Sequence, residues 1–106
     1  MAKYLLRASY TAEGAKGVLK DGGTKRTAAA RALIEGLGGQ MDTIYWAFGE
    51  DDVIAIIDMP DHASAAAASM AIAGSGSIAG TLTVLLTADD IDNAAKKTMR
   101  YTPPGH

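Results

Sequence analysis

From Lys3 to Tyr10 the side chains alternate, with Tyr4, Leu6, Ala8 and Tyr10 on one side and Leu5, Arg7 and Ser9 on the other. A period of two predicts a strand with two unlike faces. Thr11 stands at a helix N-cap position before AEGAKGVL, and Glu13 lies in the first turn, where a carboxylate suits the helix dipole. Asp21-Gly22-Gly23 interrupts this segment, and the main helix is predicted over residues 24–37. There Ala30, Leu33, Ile34 and Leu37 recur at i, i+3, i+4 and i+7, one face of a helix, until Gly38-Gly39 stops it.

Residues 40–48 predict a second strand, with Ile44, Trp46 and Phe48 on one side and Thr43, Tyr45 and Ala47 on the other. Gly49 to Asp52 is the hairpin corner before a third strand at residues 53–59. Asp61 caps the alanine-rich helix HASAAAASMAIA, and residues 78–87 predict a fourth strand. Thr87-Ala88-Asp89-Asp90 has the form of a capping box. It opens a last helix to about Thr98, with acids at its start and Lys96 and Lys97 at its end. The order β-α-β-β-α-β plus a terminal helix predicts an α+β, ferredoxin-like fold, a four-stranded antiparallel sheet with helices on one face. One domain over residues 1–98 and an extended tail over residues 99–106 account for the chain.

The third strand breaks the alternation. Val53-Ile54-Ala55-Ile56-Ile57 is apolar at every position, whereas a sheet with one wet face alternates. Both faces are therefore expected to be dry, and a face-to-face homodimer, or a higher homo-oligomer, is the simplest way to achieve that. Composition agrees. The chain is 48% hydrophobic, but alanine contributes much of it and buries little area, so one copy alone has a thin core.

Charge and residue usage narrow the chemistry. Ten Lys and Arg against 12 Asp and Glu give a net charge of −2, with no basic run, so no nucleic-acid partner is expected. There is no cysteine, hence no disulfide, thiolate metal site or cysteine nucleophile. No apolar window reaches the roughly 18 residues of a membrane span. MAKYLLRASY carries no long apolar signal core. No membrane partner and a cytoplasmic location are the expectations.

A series of landmarks across roughly residues 3–98 resembles the GYD-domain family. They are the opening strand followed by Thr11-Ala12-Glu13-Gly14, Arg26 at the head of the helix and Leu37-Gly38-Gly39 at its end. Tyr45-Trp46, Gly49, Asp52 with the apolar strand, Pro60-Asp61 and the alanine-rich helix complete the set. The family's Gly-x-Tyr-Asp signature reads Gly49-Glu50-Asp51-Asp52, with Asp51 in the tyrosine's place. The resemblance implies a dimeric α+β barrel. That class includes cofactor-independent monooxygenases, small isomerases, haem-degrading enzymes and ligand domains of amino-acid-responsive regulators, and the fold does not choose among them.

The candidate groups are few. His62, in the first turn of the alanine-rich helix, is a candidate general base, with Asp52 and Tyr45 as further proton-moving groups. The bland alternatives are a surface histidine, a turn-fixing aspartate and a packing tyrosine. Gly74 to Gly80 is glycine-rich but follows a helix and precedes a strand, the reverse of a phosphate loop. Asp21 to Arg26 leads into a helix start beside Lys25 and Arg26, so Arg26 is a candidate anion ligand. Arg7, Ser9, Tyr10 and Trp46 are candidate ligand-binding residues, on the expectation that polar groups among apolar walls line a pocket between sheets. No metal site and no cofactor is expected. The leading expectation is a homo-oligomeric domain that binds a small apolar or aromatic molecule. The alternatives are a cofactor-independent oxygenase or isomerase and a structural assembly subunit, in which the YTPPGH tail docks on a neighbouring subunit.

Overall fold

A computed structural model describes residues 1–106. Its strands are β1 (Ala2–Tyr10), β2 (Gln40–Trp46), β3 (Val53–Met59) and β4 (Ile78–Leu85). Its helices are α1 (Ala12–Asp21), α2 (Gly23–Gly36), α3 (His62–Gly74) and α4 (Ala88–Ala95). The strands form one sheet in the order β2-β3-β1-β4, and every neighbouring pair is antiparallel. The fold is α+β with the ferredoxin-like order.

Local chemistry sets the helix starts. Thr11 Oγ1 accepts the Gly14 N–H at 3.2 Å, and Asp61 Oδ1 accepts the Ser64 N–H at 2.7 Å. The Ser64 N–H holds the Asp61 carboxyl below the usual carboxylate range. At Thr87 both halves of the capping box form, with Asp90 as the reciprocal partner. A single residue, Gly22 at φ 81°, separates α1 from α2, a backbone state that glycine enters without steric cost.

Three ends differ from the sequence reading. β2 stops at Trp46; the Ala47 N–H still bonds the Asp52 carbonyl in register with the ladder, and beyond it Phe48 projects fully exposed from the corner. β4 stops at Leu85, which pairs with Lys3, one residue from the start of β1, and Leu86 is exposed beyond it. α4 ends at Ala95 in a tightened turn, Lys97 N–H to Ala94 carbonyl, with no packing beyond it.

The core lies between the sheet and the helices. Tyr4, Leu6 and Ala8 of β1 point into it, as do Val53, Ala55, Ile57 and Met59 of β3, and Ile34 of α2 closes it from above. In the apolar third strand the odd positions are thus buried, while Ile54 and Ile56 face the side that no helix covers. That open face has a hydrophobic middle of Leu5, Ile54 and Ile56. Its charges sit at its ends and are paired. Lys3 meets Asp42 and Asp58, and Arg7 meets Asp51 at 2.7 Å. An irregular register between Met41 and Thr43 makes Asp42 the extra residue of β2 beside Lys3. The Asp42 and Asp58 carboxylates hold the Lys3 ammonium above its ordinary range, and Lys3 holds Asp42 below its own.

Beyond β4 the chain leaves the domain. Every residue from Leu86 to His106 is exposed. The radius of gyration is 17.0 Å, against about 13 Å for a compact domain of this length.

Candidate functional site

A cavity of about 130 Å³ lies between α2 and the sheet, toward the end of β1 that carries Tyr10. It exists because small residues face it. Ala8 of β1 forms part of the floor, and Ala29 and Ala30 of α2 form part of the roof. The alanine-rich α3 sends only Ile72 to its wall. A rigid sheet and a rigid helix, held apart by the larger Leu33 and Ile34, do not collapse onto these short side chains.

Three residues form its polar-edged rim: Tyr10, Trp46 and Arg26. Tyr10 and Trp46 stack in parallel with ring centroids 5.9 Å apart and planes 4° off parallel. The Trp46 Nε1–H donates to Thr27 Oγ1 at 3.1 Å, which ties β2 to α2 and fixes the indole over the rim. Arg26 is one helical turn before Ala30 and so heads the same stripe of α2. Apart from the aromatic rims, it is the one polar side chain lining the cavity. The interior is an apolar, ring-sized space with aromatic and cationic groups at its edge, which suits a small organic guest rather than water.

The sequence-nominated residues divide by strand parity. Tyr10, Trp46 and Arg26 converge on the cavity. Arg7 and Ser9 lie on the opposite face of β1 and hold the corner after β2 instead. Arg7 Nε donates to Asp51 Oδ2 at 2.8 Å, with Nη2 in ion-pair contact with the same oxygen, and the Ser9 hydroxyl donates to the Glu50 carbonyl at 2.6 Å. Asp52 joins them, its Oδ2 accepting the Tyr10 N–H at 2.8 Å. These bonds run from Arg7, Ser9 and Tyr10 to successive corner residues and place Tyr10 where the rim needs it.

His62, Asp52 and Tyr45 occupy three separate places. His62 Nδ1 is 2.7 Å from the hydroxyl of buried Tyr4, with the rings edge to face at 6.3 Å. Tyr4 and Tyr10 are six residues apart on β1, so the histidine is about 20 Å along the strand from the rim. Tyr45 is exposed on the open face, across from Ile54. No group of three or more His, Cys, Asp or Glu has metal-ligand geometry. The last anion candidate is partly occupied by its own chain, since Asp21 lies 3.6 Å from Lys25 and 3.9 Å from Arg26.

A family model, the GYD domain, matches residues 4–95. The chain belongs to the GYD domain family. No curated protein and no solved structure matches it. In this GYD domain the corner at residues 49–52 is thus pinned to β1 by Arg7, Ser9 and the Tyr10 backbone, and Asp51 is the acceptor for Arg7. No helix is long and apolar enough to cross a membrane.

Sequence reasoning passed over Ala8, Ala29 and Ala30, which make the space. Their signal was present as small residues on the inward faces of β1 and α2. It gains meaning only once those faces are known to oppose each other.

Proposed function

We propose that this GYD domain is a binding protein for a small apolar or aromatic molecule, and that it works as a homo-oligomer. The observation that carries the first part is the apolar cavity of about 130 Å³ beneath the stacked Tyr10 and Trp46. A space of this order, lined by aliphatic and aromatic side chains, takes a guest the size of a benzene ring. The enclosed space is on the helix side of the sheet, so a single copy suffices to form it.

Trp46 is the sole tryptophan and lines the cavity, which makes its emission a direct reporter. Titration with toluene is expected to change Trp46 fluorescence saturably. Ala30→Leu, which fills the roof, is expected to abolish the response while leaving the fold intact. A response that is absent in the natural chain, or that survives in Ala30→Leu, would defeat this reading.

The homo-oligomer rests on two surfaces that a single chain leaves open. One is the sheet face, where Leu5, Ile54 and Ile56 lie between paired charges. The other is the arm after β4, which exposes Leu86, Ile91, Met99 and Tyr101. α4 has eight residues, fewer than the ~12–15 an isolated helix needs for appreciable stability in water. A second copy supplies the missing partner for both. Sedimentation of the natural chain at micromolar concentration is expected to give a dimer or larger species, and Ile56→Lys to dissociate it. A natural chain that sediments as a single monomeric species would count against the assembly.

A further inference from the structure

The rim of the cavity holds a charge that nothing in the chain has fully used. The Arg26 guanidinium has five N–H donors and makes no hydrogen bond to any protein group. Its closest carboxylate oxygen is Asp21 Oδ2, at 3.9 Å, and the other Asp21 oxygen faces Lys25. The side chain is 40% exposed, so the guanidinium stands at the boundary between solvent and the apolar interior. An arginine at such a boundary lays its methylenes along the wall and keeps its planar fork free for an oxygen pair.

We infer that the ligand of this cavity is a monocarboxylate with one small ring or a short branched tail, its carboxylate taken by Arg26 and its apolar part inside. This rests on the cavity being a binding site, as proposed above. The interior offers no acceptor or donor, so the polar end of any guest must sit at the rim. A carboxylate matches the guanidinium in geometry and gains two charge-assisted hydrogen bonds there. The neighbourhood argues for a single negative charge. Glu13 and Asp21 border the cleft on the outer side of Arg26, next to Tyr10, and would repel a dianionic phosphate. The volume argues for a small tail, since about 130 Å³ admits one ring but no fused system.

The test compares three ring compounds of nearly equal size on the full chain: toluene, benzamide and benzoate. Binding is read from Trp46 emission and by calorimetry. The natural chain is expected to bind benzoate about tenfold more tightly than benzamide, since the two differ chiefly in the charge offered to Arg26. Arg26→Met keeps the stem and removes the fork. It is expected to lose that tenfold preference, with toluene, which has no polar end, the least affected of the three. Asp21→Asn removes the competing carboxylate and is expected to tighten benzoate alone.

The outcomes separate the two readings. Toluene binding with equal affinities for benzoate and benzamide overturns the carboxylate inference and leaves the cavity reading standing. Benzoate preference that persists in a folded Arg26→Met overturns it also. If none of the three compounds binds, the cavity reading fails and this inference fails with it. Should Arg26→Met not fold, the ranking of the three compounds on the natural chain still decides.

Discussion

Ile57→Ala is expected to lower the free energy of unfolding by about 4 kcal/mol, near the upper end for removing a fully buried branched aliphatic side chain. Ile57 has no exposed surface, and its strand neighbours are Tyr4 on one side and Met41 on the other. Both are buried and both belong to strands fixed by ladder hydrogen bonds, so little can move into the space left behind. Total stabilities of domains this size run from about 5 to 15 kcal/mol, and a loss of 4 is therefore severe. The neighbouring position is the control. Ile56 has the same side chain but faces the uncovered side of the sheet. If that face is shielded by a second copy, Ile56→Ala weakens association, and its effect on urea midpoints fades as the protein is diluted below the dissociation constant of the natural assembly. The loss at Ile57 is independent of concentration. Equal and concentration-independent losses at both positions would contradict the assignment of faces and the proposed assembly.

Gly14→Ala is expected to destabilise by about 2 kcal/mol, although alanine is the better helix former by about 1 kcal/mol. The reason is space. A Cβ at Gly14 would lie 1.9 Å from the Ser77 carbonyl oxygen and 2.9 Å from Tyr10 Cδ1. Backbone cannot yield as a side-chain tip does, so α1 must move off the start of β4. That motion breaks the hydrogen bond from Thr11 N–H to the same Ser77 carbonyl, 3.0 Å long. Overpacking of this kind costs about 1–3 kcal/mol or somewhat more, which outweighs the gain in propensity. Tyr10 is displaced with it, so affinity for an aromatic guest should drop as well. Gly17→Ala, three residues along α1, meets nothing within 4 Å. It is expected to stabilise by about 0.5–1 kcal/mol through propensity alone. Chemical denaturation of the two variants should give opposite signs, and shifts of the same sign would refute the close-approach argument.

The two glycines illustrate how unevenly this fold can be read from its residues. In sequence they are alike, two small interruptions of one short helix. What distinguishes them is Ser77, more than sixty positions away, a neighbour that helical periodicity cannot reveal. Asp52 makes the same point. The sequence offered it as a proton-moving group or as a residue fixing its own turn, and its carboxylate accepts the Tyr10 N–H on another strand.

Features governed by near neighbours were legible. Thr11, Asp61 and Thr87 were each expected to cap a helix, and each accepts the N–H three residues on. The alternation along β1 separated Arg7 and Ser9 from Tyr10 before any coordinates. Such features depend on spacings of two to four residues, which the backbone geometry of a strand or helix converts directly into direction. Tertiary structure alone decided which parity of β1 faces the helices and that Tyr10, Trp46 and Arg26 meet over one cavity. It also decided that Phe48 leaves the strand. These depend on strand register and helix docking, which are chosen by the summed packing of the whole core rather than by any local pattern.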